Sequence, residues 1–172
     1  AIVAQNAETI AKIAGIDVPA GTAVLMAEEN GAGLDHPFAG EKLSPVSGVQ
    51  KAKDLDDAID KMMACLEYQG KGHSCGIHTN DVEDVNKLAA VAPVTKCVVN
   101  QPQCLTNSGG WDCGFPVSMT LGCGTWGGNS VSHNATWKDL LNFTYVSRQI
   151  PNWKPEKAED FIDADVIAKV DA

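Results

Sequence analysis

Between Leu55 and Leu66 the apolar residues Leu55, Ala58, Ile59, Met62, Met63 and Leu66 recur at the three- and four-residue spacing of one helix face. Asp54 stands where an N-cap would, and Gly70 and Gly72 follow as stop signals. A second helix is expected over Ala7–Ala14, capped by Asn6 and closed by Gly15. A third is expected over Asp81–Val91, where Asn80 and Glu83 have capping-box spacing and Pro93 forbids continuation. The runs between them are short and apolar, with strand length. They are GTAVLMAE at Gly21–Glu28, LSPVSGVQKAK behind Pro45, HSCGIHT at His73–Thr79 and TKCVVNQ at Thr95–Gln101. EENGAGLDHPFAGE has glycines, a proline and acids without period, and reads as loop.

Strands alternating with helices imply an α/β fold, a layered and mostly parallel sheet with flanking helices and right-handed crossovers. Active loops in such sheets gather at the carboxyl ends of the strands. Residues 102–135 are rich in Gly, Asn and Ser and show little periodicity, a long stretch that suggests a functional or partner-bound loop. A further strand is expected at Phe143–Gln149. A tail from Pro151 has two prolines, mixed charges and a short helix near Ala164–Val170.

Composition narrows the partners. The chain has 172 residues, 44% hydrophobic and 20% charged, with a formal net charge of −9. An acidic surface argues against nucleic acid and against an anionic membrane as partners. A nucleotide cofactor stays open, because backbone N–H groups can hold a pyrophosphate without net positive charge. No apolar run approaches the roughly 18 residues of a spanning helix, and the N-terminus has no signal-peptide pattern. The chain opens at Ala1-Ile2-Val3 without a methionine, as a piece of something longer would. Of six cysteines, Cys65 lies on the apolar helix face and Cys97 in an apolar strand, as free buried thiols do. A reduced, cytoplasmic protein is expected.

Several residues invite a chemical reading. Gly122, Gly124 and Gly127 spell G-x-G-x-x-G, but GNSVSHNAT after them is a poor helix former, and a dinucleotide turn needs a helix there. A structural corner with close backbone approach to a ligand is the competing reading. Cys123 would need a neighbouring base or a helix N-terminus to serve as a nucleophile, and a plain loop thiol is the alternative. His73 and Cys75 would share a strand face while His78 points away, which disfavours a metal site. His73 follows a glycine pair at a helix-to-strand turn, where an ordinary loop histidine and a ligand contact are both open. Glu41, before a proline-containing turn, reads on its own as a solvated charge.

AGEKLSPV, GKGHS, CVVNQP, MTLGCGTWGGNSVSHN and WKDLLNFTYV occur together and in order. In this the chain resembles the acylating, coenzyme-A-dependent aldehyde dehydrogenases, including the aldehyde half of bifunctional aldehyde–alcohol dehydrogenases. The resemblance spans roughly residues 1–150. It implies part of an aldehyde dehydrogenase-like catalytic domain with an oligomerisation strand near 143–149, and residues 151–172 as a C-terminal tail. In that family an aldehyde forms a thiohemiacetal on a cysteine, hydride passes to NAD, and coenzyme A cleaves the acyl-thioester. The resemblance places that cysteine, and most NAD contacts, in segments preceding Ala1. It therefore implies a C-terminal portion of the catalytic region with no catalytic residue of its own, inactive alone. Cys123 matches a family cysteine that is not the nucleophile.

By the same resemblance Glu41 binds the nicotinamide-side ribose hydroxyls, His73 lies near the nicotinamide and the thiohemiacetal, and Leu121 contacts cofactor at the mouth of the site. A small-molecule aldehyde substrate and a homo-oligomer are implied, with no metal. The stretch QCLTNSGGWDCGFPVS, with Cys104, Trp111 and Cys113, departs from the glycine-rich sequence of the bifunctional enzymes. It leaves open short aliphatic against sulfonated or carboxylated aldehydes. Two rival readings are a non-catalytic binding or assembly module derived from the same fold, and a redox or metal-binding cysteine protein.

Overall fold

The computed structural model describes residues 2–154, 156–157 and 160–162. It divides into two units, Ala1–Leu140 and Leu141–Ala172. The first unit contains every helix of more than one turn and every strand among the described residues.

Helix α1 spans Ala7–Ala14. Asn6 accepts the Thr9 N–H at 2.8 Å, Gly15 closes the helix in the left-handed region at φ 71°, and Ala7, Ile10 and Ala11 are buried. Strands β1 (Leu25–Glu28) and β2 (Val46–Val49) pair in parallel, Leu25 opposite Val46. The segment joining them is the loop expected from its composition. It is tied at its start by Glu29, whose carboxylate accepts from Asn30 N–H at 2.9 Å and meets His36 Nδ1 at 2.7 Å.

Helix α2 (Leu55–Tyr68) starts where Asp54 accepts the Asp57 N–H at 2.9 Å. Its apolar face supplies Ile59, Leu55, Met62 and Met63 to a core shared with Cys75, Leu88, Ala92 and Val94. Strand β3 (Cys75–Ile77), helix α3 (Val82–Val91) and strand β4 (Cys97–Val99) form a parallel β-α-β unit with Cys75 opposite Cys97. Beyond β4 lies a one-turn helix, α4 (Gln103–Thr106).

Two expectations change. The strands form two separate two-stranded parallel sheets, β1–β2 and β3–β4, and no joint sheet among the described residues. Periodicity marks which segments are extended but not which ones exchange hydrogen bonds. The α3 cap is Asp81, one residue later than Asn80. Its carboxylate accepts the Glu83 N–H at 2.9 Å, while Thr79 Oγ1 accepts from Asp81 N–H at 3.1 Å. Residues 102–135 hold little regular structure, as expected. Besides α4 they hold a 3-10 turn at Thr125–Gly127 and an antiparallel bridge between Leu121 and Asn134. Buried Asn134 clamps them, its amide donating to Asn107 O at 2.9 Å and Pro116 O at 2.8 Å.

Phe143–Gln149 pairs with no strand of this chain among the described residues, and the oligomerisation strand expected there would need a partner subunit. A strand needs a partner ladder, and β-branched and aromatic content alone does not provide one. Phe143, Tyr145 and Val146 are exposed, with the rings of Phe143 and Tyr145 6.5 Å apart. The helix expected near Ala164–Val170 lies outside the described residues.

Candidate functional site

Glu41 sits in the β1–β2 loop, and two neighbours fix its backbone. Buried Gly40 packs against Tyr68 and Gln69 at the end of α2, where any side chain would collide. Gln69 Oε1 accepts the Glu41 N–H at 3.1 Å. Lys42 folds back so that its ammonium donates to Phe38 O at 2.8 Å and Gly40 O at 2.5 Å. The Glu41 carboxylate is exposed and has no partner among the described residues. It stands on a cleft of about 590 Å³ whose walls include Leu43, Gly48, Gln50, Lys61 and Met62. The rest of the loop is polar and braced. The His36 hydrogen bond, ahead of the Asn30 N–H, holds the Glu29 carboxyl below the usual range. The Lys61 ammonium does the same for Asp57.

His73 is carried by the turn that leaves α2. Gly70 and Gly72 both adopt positive φ, 99° and 91°, which only glycine adopts without strain. At Gly72 there is a second demand. A Cβ there would lie 2.5 Å from Cys123 O and 2.6 Å from Gly127 N. The turn is therefore pressed backbone to backbone against the glycine-rich loop that carries Leu121. His73 is exposed, with Nδ1 2.9 Å from Ser74 Oγ.

Leu121 is half-buried at its bridge to Asn134, and Gly122 O faces the β4 entry. Thr95 Oγ1 lies 3.0 Å from Gly122 O and 3.2 Å from both Gly72 O and His73 O. Its one proton can serve one of these carbonyls at a time. The Lys96 ammonium adds a donor, 3.1 Å from Gly122 O and 3.3 Å from Thr95 Oγ1. Lys96 is 4% exposed, and burial pushes its ammonium below the ordinary value, partly opposed by Cys123.

The structure thus brings the His73 turn and the Leu121 loop together through Thr95 and Lys96. It ties the Glu41 loop to the same end of α2 through Gln69, without a direct contact of Glu41 to His73 or Leu121 among the described interactions. Gln69, Ser74, Thr95 and Lys96 were not singled out in the sequence. One signal was present for Lys96, a charge directly abutting the apolar run Cys97–Val99.

The alternatives read from motifs fare as follows. No strand precedes Gly122-x-Gly124-x-x-Gly127, and a 3-10 turn rather than a helix follows Gly124, so the dinucleotide-turn geometry is not formed. Cys123 has its N–H bound to Asn129 Oδ1 at 2.9 Å, while His133 pairs with Asp139 at 2.9 Å and is committed there. Cys75 is buried against Cys97, and that burial pushes its thiol up to about 12. Among the described residues no three His, Cys, Asp or Glu side chains are grouped to hold a metal ion, and no helix is long and apolar enough to cross a membrane.

The backbone is similar to that of a probable aldehyde dehydrogenase from Listeria monocytogenes, with a TM-score of 0.82 and 33% identity over 94% of this chain and 34% of that one. Among curated proteins it is 38% identical over 157 residues to the acylating sulfoacetaldehyde dehydrogenase of Cupriavidus necator, covering 90% of this chain. It is 41% identical over 155 residues to the aldehyde-alcohol dehydrogenase of Clostridium acetobutylicum, covering 88% of this chain and 18% of that protein. No family model matches the chain. Over the residues compared, the chain is similar to acylating aldehyde dehydrogenases. It spans 32% of the length of the Cupriavidus necator relative.

Proposed function

We propose that this chain is the cofactor-side lining of an NAD-dependent acylating aldehyde dehydrogenase, an enzyme that oxidises an aldehyde to an acyl-CoA, or runs the reverse, through a cysteine thioester. The observation that carries the reading is the Glu41 carboxylate. It is exposed on a cleft, held by its backbone and without a partner among the described residues, which suits a carboxylate that must accept from two vicinal hydroxyls. NAD, when bound, supplies the hydride acceptor. Glu41 would hold it, His73 would stand beside the reacting carbon, and the Leu121 loop would close the mouth by backbone approach.

The nucleophilic cysteine is assigned to a segment outside this chain, which would make the chain a C-terminal portion of the catalytic region. Two of the cysteines argue for this: Cys75 stays protonated by burial, and the histidine nearest Cys123 in sequence is engaged by Asp139. The exposed apolar side chains of residues 143–146 suit a subunit contact by sheet extension, so a homo-oligomer is part of the reading. The deciding experiment mixes the purified chain with NAD, coenzyme A and a panel of short aliphatic, sulfonated and carboxylated aldehydes and follows NADH absorbance. No turnover is expected from the chain alone, and turnover is expected from a longer form that includes an upstream cysteine. Steady coenzyme-A-dependent turnover by the chain alone would reject the division of labour and return Cys123 to contention.

A further inference from the structure

Three groups converge on one oxygen, the Ser74 hydroxyl. Gln103 Nε2 lies 2.9 Å away, Asn107 Nδ2 2.8 Å away and His73 Nδ1 2.9 Å away. A hydroxyl has two acceptor lone pairs and one proton, and an amide nitrogen can only donate. The two amides therefore fill both lone pairs, and the single proton of Ser74 is left for His73 Nδ1. An Nδ1 that accepts carries no proton, so a neutral His73 must hold its hydrogen on Nε2.

Both residues are held through their backbone. Gln103 and Asn107 are the start and the cap of α4, Asn107 is buried, and its backbone carbonyl receives the Asn134 amide at 2.9 Å. The residues come from two separate parts of the chain, the α2–β3 turn and the loop after β4.

We propose that Ser74, Gln103 and Asn107 are positioning residues that hold His73 as the Nε2–H tautomer, so that its exposed nitrogen is a hydrogen-bond donor to an oxygen of the reacting acyl group and not a base. The tautomer rests on Gln103 and Asn107 turning their amide nitrogens to Ser74, an orientation that leaves Asn107 Oδ1 buried without a partner among the described residues, and the identity of the acceptor oxygen rests on the function proposed above.

Histidine-labelled ¹⁵N protein at mildly alkaline pH tests the tautomer through long-range ¹H–¹⁵N spectra, with the His73 signals assigned by their loss in His73→Gln. The expected pattern is an unprotonated Nδ1 and a protonated Nε2. Asn107→Asp replaces a donor by an acceptor, should turn the Ser74 proton away from the ring and should switch His73 to the Nδ1–H pattern. A protonated Nδ1 in the unsubstituted protein, or no change in Asn107→Asp, would overturn the proposal.

The role is tested in the full-length enzyme. Ser74→Ala should lower kcat about tenfold, the kinetic equivalent of one hydrogen bond, with KM for NAD unchanged, and Ser74→Thr should restore it. A locked tautomer with unaltered kcat in Ser74→Ala would overturn the donor role. Absence of NAD-linked turnover in the unsubstituted full-length enzyme would instead reject the dehydrogenase reading, and the spectra would still decide the tautomer.

Discussion

The Glu41 cleft and the junction between Gly72 and Gly122 both serve the candidate site, yet they are built in opposite ways. At the cleft a side chain does the work: one carboxylate projects from a loop braced by Lys42 and Gln69, with open volume beside it. At the junction the backbone does it: carbonyls of Gly72, His73 and Gly122 crowd around Thr95, and glycine is required because no Cβ fits. The difference predicts where substitutions act. Changes at the cleft should alter binding and spare the fold, whereas changes at the junction should reach the fold first.

The largest effect is expected for Gly72→Ala. The residue has φ 91°, and its new Cβ would meet Cys123 O and Gly127 N, both backbone atoms that cannot rotate away. Strain at a positive φ and overpacking each cost about 1–3 kcal/mol, so a loss of about 3 kcal/mol is expected by denaturant unfolding. A loss under about 1 kcal/mol would show that the junction is looser than described.

Glu41→Ala comes next and should act on the other side of the comparison. Losing a charge-assisted hydrogen bond is worth about 1.5–3 kcal/mol, a rise of about 10- to 150-fold in the NAD dissociation constant of the full-length enzyme. Stability should not move, because the exposed carboxylate has no partner among the described residues to lose. Unaltered NAD affinity by calorimetry would remove Glu41 from the site.

How much of this was legible beforehand follows the same division. Local chemistry was readable: Asn6, Asp54, Gly15 and the apolar face of α2 act where their residue types and spacing placed them. The β3–α3–β4 unit was readable because its elements are consecutive. The pairing of strands into two sheets was not, since it depends on partners distant in sequence. At the site, the place of His73 after a glycine pair marked it as a possible ligand contact, but its role and the choice of Leu121 came through a family resemblance. Their meeting at Thr95 and Lys96 had almost no local signal. A threonine whose hydroxyl reaches three carbonyls looks, in sequence, like any threonine before a strand.

Gly40→Ala sharpens the contrast because the same substitution is made in the other region. Its Cβ would meet the amide of Gln69 and the ring edge of Tyr68, both ends of side chains that can swing outward. The expected loss of stability is below about 1 kcal/mol, with a modest weakening of NAD binding as the Gln69 anchor of Glu41 shifts. A loss equal to that of Gly72→Ala would erase the distinction between a flexible and a rigid wall.

The smallest change in stability is expected for Lys96→Met, even though Lys96 is among the most buried charged residues described. Removing one member of a buried ion pair typically costs about 3–5 kcal/mol, because the other charge is stranded. Lys96 has no carboxylate partner among the described residues, and Gly122 O keeps a donor in Thr95 Oγ1 at 3.0 Å. Methionine fills a similar volume and escapes the desolvation penalty. The net change at neutral pH should therefore lie within about 1 kcal/mol of zero. The pH dependence gives the sharper reading. Burial lowers the Lys96 ammonium below the ordinary 10.5, so the folded chain releases that proton before the unfolded chain does. Below the folded value both states are charged and the penalty is constant. Between the folded value and 10.5 the unfolded chain binds more protons, so this group makes stability rise with pH. The Cys75 thiol opposes it: raised from 9.0 to about 12, it makes stability fall with pH across that interval. Both proteins share Cys75, so the difference between their alkaline unfolding curves reports Lys96 together with its interaction with Cys123. The unsubstituted protein should gain stability relative to Lys96→Met as pH rises toward 10.5. Parallel curves, or a loss above about 2 kcal/mol at neutral pH, would mean that Lys96 is paired or solvated, and that the junction depends on its charge.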